Sequence, residues 1–205
     1  MKIRKYEKGG GVKVRKYSVK PEAVNEPYRI GDDAVLASMY DELIKRKGGS
    51  REDWEDRFGA VSYHESGRTQ DPAQKQIGGG PGRGLYQYEM NRNPESGVRG
   101  SGEANSAVNR TVRLMKSMGQ NVPQWLTDLQ GTDADFTKLS RQQQEIIFIA
   151  DGLLDRGDFG QVIGGQRDFV DWWYNYHNRS GDPAARNKMA RDTESYYNTS
   201  VIYLQ

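Results

Sequence analysis

Apolar residues recur at helical spacing through most of the chain. Over 33–46, Val35, Leu36, Met39, Tyr40 and Leu43 fall at intervals of about three and four, which predicts a helix. Gly48-Gly49 supplies its stop. Ser50-Arg51-Glu52-Asp53 has the form of a capping box, with Asp where Glu is stronger, and predicts a second helix over 51–65. From 104 to 118, Val108, Val112 and Met115 make one stripe, ended by Gly119. Pro123-Gln124-Trp125-Leu126 starts a short piece. Ser140-Arg141-Gln142-Gln143 is another capping box, ahead of Ile146, Ile149, Ala150 and Leu153. Phe169, Trp172, Trp173 and Tyr176 line a further helix. Asp182-Pro183 joins an N-cap to a proline at the first helical position, so a last helix is expected to about Tyr197.

The helical pattern breaks once, over 66–102, a stretch rich in Gly, Pro, Asn and Arg. Such a length is too great for a plain connection; segments like it are functional or carry short strands. The expected fold class is therefore mostly α, an α+β arrangement of helices with a short β-hairpin excursion.

Charge adds a division that hydropathy does not show. Lys+Arg number 30 and Asp+Glu 28, a net +2, which argues against a dedicated nucleic-acid binder. Residues 1–20 alone carry +7, leaving −5 for the remainder. Within this arm Lys2-Ile3-Arg4-Lys5-Tyr6 recurs as Lys13-Val14-Arg15-Lys16-Tyr17 around Gly9-Gly10-Gly11. A hairpin and a solvated tail both fit, since an isolated two-stranded hairpin is marginal in water. Pro21, Pro27 and Gly31 make the next stretch a linker. Residues 1–33 are thus read as arm and linker, and 34–205 as the folded domain.

Composition removes several chemistries. The absence of cysteine excludes disulfides, Cys-ligated zinc and thiol catalysis. Leu, Ile, Val and Phe are only 37 of 205 residues, but 12 Tyr and 4 Trp compensate and suggest a body with a wet aromatic groove. No apolar run approaches the roughly 18 residues of a membrane span, and no secretory h-region opens the chain. The two histidines are His64 and His177, and HExxH, Walker and GxSxG patterns are absent. No metal site and no cofactor are expected.

The second helix carries the candidate chemistry. On a helical wheel Glu65 lies about 20° from Trp54, on the stripe that Phe58 and Val61 continue. The stripe that faces the core thus ends in a carboxylate. Apolar surroundings disfavour the charged form, and a carboxyl that keeps its proton near neutral pH can act as a general acid. By position alone, a helix-end Glu pointing into solvent is the favoured reading.

Glu65-Ser66 is followed by a loop and then by Gly82-Arg83-Gly84-Leu85-Tyr86-Gln87-Tyr88-Glu89. Here the sequence resembles the lysozyme-like muramidases, that is, goose-type lysozymes and lytic transglycosylases. That family carries a catalytic Glu followed by Ser at a helix end, and about twenty residues later a Gly-Leu-Met-Gln segment. Tyr86 stands at the Met, and Pro81-Gly82 departs from the usual Gly-Ala. The likeness covers roughly 50–155. It implies a lysozyme-like fold whose hairpin lines a cleft, with Glu65 as acid and Ser66, Gly84, Leu85, Tyr86 and Gln87 at the substrate. Gly82 and Gly84 would clear room for a glycan, Gln87 would bond its hydroxyl or acetamido groups, and Tyr86 and Tyr88 would offer faces to sugar rings. Taken singly, these are also ordinary turn glycines and strand tyrosines.

Glu89 holds the place where goose-type enzymes carry a second acid, and strand alternation would turn it to the same side as Gln87. An inverting hydrolase needs such a second carboxylate; a transglycosylase does not. Asp71, before Pro72, is the other candidate second acid or else a turn residue. The resemblance implies cleavage of the β-1,4 bond between N-acetylmuramic acid and N-acetylglucosamine in peptidoglycan strands. Leu139 through Asp151 and Trp172 through Arg186 are also reminiscent of virion-associated phage lysozymes. Such an enzyme would travel in a phage particle, held to other virion proteins by the basic arm, and act in the bacterial periplasm or cell wall. An endolysin made in the host cytoplasm and a non-catalytic glycan-binding virion protein are the alternatives.

Overall fold

Asp33 opens the first element of the computed structural model, which describes residues 33–154 and 182–201. Its side chain accepts from the amides of Val35 and Leu36 at 2.8 and 3.1 Å and starts α1, Ala34–Lys47. Lys45, Arg46 and Lys47 crowd the last turn, where cations complement the helix dipole. Gly48 ends the helix at φ +73°. The Ser50 capping box is complete, with Asp53 N donating to Ser50 Oγ and Ser50 N to Asp53 Oδ2. It opens α2, Arg51–Ser66. Trp54 Nε1 donates to Gly48 O at 2.9 Å and fastens the start of α2 to the end of α1.

The irregular segment carries two short strands, β1 (Gly82–Arg83) and β2 (Tyr88–Glu89), antiparallel, with Gly82 opposite Glu89 and Arg83 opposite Tyr88. The loop ahead of them runs alongside. Gly84 N donates to Gln74 O and Gln76 N to Gly82 O, and Lys75 bridges to Arg83. Then follow α3 (Glu103–Ser117), α4 (Gln124–Leu129), a 3₁₀ turn (Phe136–Lys138), α5 (Arg141–Leu154) and α6 (Pro183–Val201). Both later N-caps act as their sequences predict. Ser140 and Gln143 close a second capping box, and Asp182 Oδ1 accepts from Ala184 N.

The expected α-rich fold with a short antiparallel β excursion is present. Residues 1–32, including the arm repeats and most of the linker, and the expected helix through Phe169, Trp172, Trp173 and Tyr176 lie outside the described residues. Among those described, no helix is long and apolar enough to cross a membrane, and no group of three or more His, Asp and Glu could hold a metal ion.

The core is built around α5, which receives α1 on one side and α3 on another, while α2 lies against α6. Aromatic rings supply much of what the aliphatic count lacks. Phe148 of α5 stacks on Tyr86 with centroids 3.9 Å apart and meets Phe58 edge-on at 5.1 Å. Tyr40, Trp54, Tyr86 and Tyr88 are all buried. Three of the tyrosines that suggested a wet groove, Tyr40, Tyr86 and Tyr88, therefore pack the interior.

Candidate functional site

Glu65 stands one residue before the end of α2. Trp54, Phe58 and Val61 on its stripe are buried, whereas the Glu65 side chain keeps 18 % of its surface open. The helix end is stitched to the chain that follows. Ser66 Oγ donates to Ser62 O at 2.6 Å. Gln70, in the left-handed region at φ +44°, folds its amide back to Gly59 O and Ser62 Oγ at 2.7 and 2.6 Å. Ser66 thus serves helix termination, and its buried hydroxyl is already engaged. The next residues, Gly67, Arg68 and Thr69, are exposed beside the acid.

The Gly84-Leu85-Tyr86-Gln87 segment is the turn between β1 and β2. Gly84 sits at φ +78°, and a Cβ there would lie 2.2 Å from Gln144 Oε1 and 3.1 Å from Phe136 Cβ. At Gly82 a Cβ would come within 2.9 Å of Gln87 Oε1. The space the two glycines free is occupied by the protein's own side chains and not by room for a glycan. Leu85 and Tyr86 are buried, with Tyr86 stacked on Phe148, so neither presents a side-chain face to a sugar. Tyr88 is likewise buried, and its hydroxyl donates to Asp151 Oδ2 at 2.9 Å.

Gln87 corrects the strand-alternation expectation. It lies in the turn at φ +51°, and its Nε2 donates to Gly84 O at 2.7 Å. Two-residue strands are too short to carry an alternation from 87 to 89. Glu89 is half-buried, and its Oε2 accepts from Ser101 N at 2.8 Å, tying the hairpin to the approach to α3. Asp71 is exposed and closes a turn, its Oδ1 accepting from Ala73 N at 2.8 Å.

Three features escaped the sequence. The first is Gln144, fully buried on α5. Its Oε1 accepts from Leu85 N at 2.7 Å, and its Nε2 donates to Pro72 O, Phe136 O and Leu139 O at 2.8, 2.9 and 3.1 Å. One amide thereby binds the loop after Glu65, the hairpin turn and the 3₁₀ turn. Its signal was present: Gln144 precedes Phe148 by one helical turn, a polar residue on an apolar stripe. The second is a partly buried ion network. Arg110 of α3 bonds both Asp151 of α5 and Glu103 of its own helix. Burial pushes the Asp151 carboxyl up to about 6, against the opposing pull of Arg110 and the Tyr88 hydroxyl. The third is the seam between α2 and α6. There His64 Nδ1 meets Asp192 Oδ2 at 2.7 Å, and His64 Nε2 faces Glu65 Oε1 at 4.0 Å. Tyr63 meets the Tyr196 ring edge-on at 5.8 Å, with its hydroxyl 3.4 Å from Ser195 Oγ. No local pattern in either helix announces this pairing.

No family model, curated protein or solved structure matches this chain.

Proposed function

We propose that this protein is a peptidoglycan-cleaving muramidase in which Glu65 is the general acid. The observation that carries the proposal is the placement of one partly exposed carboxylate at the end of an otherwise buried helical stripe. That helix end is bonded through Gln70, and the loop beyond it through Gln144, into the hairpin turn that follows. The helix, loop and turn that bear the lysozyme-like motifs are therefore one hydrogen-bonded unit. In the proposed reaction Glu65 protonates the glycosidic oxygen as the bond to the muramic acid carbon breaks. Hydrolysis then requires water on the opposite sugar face. Glu89, with Oε2 held by Ser101 N, has Oε1 to orient that water, which demands a carboxyl separation of about 6.5–9.5 Å.

Two observations favour a second reading, lytic transglycosylation with Glu65 as sole acid. Gln87 folds back on its own turn, and Glu89 already holds a backbone amide. In that case the substrate's 6-hydroxyl takes the place of water. The basic arm would attach the protein to virion partners, with action on the host wall.

Mass spectrometry of digested peptidoglycan is the test. Reducing-end muramic acid supports hydrolysis, anhydro-muramic product supports transglycosylation, and no product from folded protein overturns both. Glu65→Gln removes the transferable proton and keeps the shape, so wall lysis should fall by at least about 100-fold. Near-normal lysis by folded Glu65→Gln would remove Glu65 from the mechanism.

A further inference from the structure

Among the described residues two large apolar side chains are exposed, and both sit on the irregular excursion: Ile77 at 94 % and Val98 at 46 %. Single apolar residues on a surface are ordinary. These two differ because the loops that carry them are bound to each other. Ile77 lies in a tight turn closed by Gly79 N donating to Gln76 O at 3.3 Å, with Gly78 at φ +84°. Val98 closes a second turn, where Asn93 N donates to Val98 O at 2.8 Å and Gly97 N to Asn93 O at 2.9 Å. Buried Asn93 joins the two loops, its Nδ2 donating to Gly79 O and Gly80 O at 2.8 and 2.9 Å. Ser96 Oγ donates to Gly79 O at 2.6 Å, and Lys75 pairs with Glu95 from one loop to the other. The charge of the segment is also distinct. Lys75, Arg92 and Arg99 are exposed on the same loops. Arg83, buried beside them, donates Nη1 to Gly80 O and Gly82 O at 2.9 and 2.8 Å. Over 66–102 five cationic side chains outnumber three carboxylates, in a chain whose residues 21–205 sum to −5.

We propose that these joined loops dock on an anionic lipid bilayer. Ile77 and Val98 enter the boundary between headgroups and acyl chains, and Arg92 and Arg99 meet the lipid phosphates. The proposal does not depend on the muramidase reading. A specific protein interface covers about 800 Å² on each partner, and two aliphatic side chains on loop tips do not supply that area. A sugar ring calls for a flat aromatic face, and the tyrosines of this segment, Tyr86 and Tyr88, are buried. A bilayer accommodates a single projecting side chain, and its anionic surface attracts the cations around it. The loops are already ordered by Asn93 and Ser96, so insertion carries little further ordering cost.

The chain has no cysteine, so one introduced thiol can carry a dye that brightens and shifts to the blue on leaving water. Ile77→Cys labelled in this way should respond to vesicles made of equal parts phosphatidylcholine and phosphatidylglycerol, and nitroxide-bearing lipids should quench it. The same dye at Lys45→Cys, on the exposed face of α1, should stay in water. In sedimentation with these vesicles the unlabelled chain should bind, less tightly as salt rises. Ile77→Ser should bind at least about tenfold more weakly, because that side chain then gains nothing by leaving water. Arg99→Gln should bind about fivefold more weakly. Neither substitution removes a buried group, since both side chains are exposed. Equal binding by Ile77→Ser overturns the proposal. So does a dye at position 77 that stays in water while the protein sediments with vesicles, which would assign binding to the basic arm. A dye response that grows with protein concentration and needs no vesicles would make a second copy of the chain the occupant and overturn it as well.

Discussion

Replacing Gln144 with leucine tests whether one buried amide holds the hairpin turn in place. Leucine fills much of the same volume but neither accepts nor donates. Leu85 N–H, fully buried, loses its acceptor at 2.7 Å. A buried donor left without a partner costs about 1–3 kcal/mol. Pro72 O and Leu139 O lose the amide donor, while Phe136 O keeps the amide of Leu139 at 3.1 Å. At about 1 kcal/mol for each such bond, the expected destabilisation is roughly 3–5 kcal/mol, a large share of the roughly 5–15 kcal/mol that holds a domain of this kind together. Urea unfolding followed by circular dichroism should show a lower midpoint at unchanged slope. Amide exchange should show the Leu85 N–H losing protection. Gln144→Glu keeps the acceptor and should preserve more of that protection. A loss below about 1 kcal/mol with Leu85 still protected would refute the assignment of Gln144 as the anchor of the turn.

Two further outcomes follow from the packing. In Gly59→Ala the new Cβ would sit 2.1 Å from the Tyr196 hydroxyl oxygen and 2.7 Å from its Cζ. Alanine's better helix propensity should therefore be outweighed, with a net loss of about 1–3 kcal/mol by urea unfolding; a stabilised variant would show that α6 is not seated on Gly59. For Asp151 the folded value of about 6 lies above the ordinary aspartate value of 3.8. The native state then binds the extra proton, so this group's contribution is fully present below about pH 4 and is lost as pH rises through about 6, by up to about 3 kcal/mol. The stability of wild type relative to Asp151→Asn should decline from pH 4 to 7; parallel curves would refute the shift.

What the sequence revealed was local. The Ser50, Ser140 and Asp182 caps sit at their expected positions because each is satisfied within about one turn of its own helix. The Gly48 and Gly119 stops are equally local, both residues having positive φ. The orientation of Tyr86 and Tyr88 was not legible, because amphipathic rings serve a core or a wet surface and only tertiary context decides. Phe148 and Asp151, some sixty residues away, made them core. Glu65 was legible as a candidate because its position on a stripe is a property of α2 alone. Its neighbourhood was not, because α2 is lined by Gly59, Ala60, Ser62 and Ser66, whose burial against other elements leaves no hydrophobic signature. His64 gave no hint of Asp192, which lies 128 residues further along.

That separation sets an order of events during synthesis. At about 5–20 residues per second, α2 emerges on the order of 10 s before the residues of α6 that cover it. Throughout that interval Gly59, Tyr63 and His64 have no α6 to pack against, while the elements from α1 to α5 can already assemble around Phe148. The surroundings of the proposed acid are therefore completed last, by the segment made last among the described elements. A nascent chain stalled before α6 would carry a formed core and an unfinished seam, with His64 lacking the Asp192 carboxylate that it meets at 2.7 Å in the finished fold.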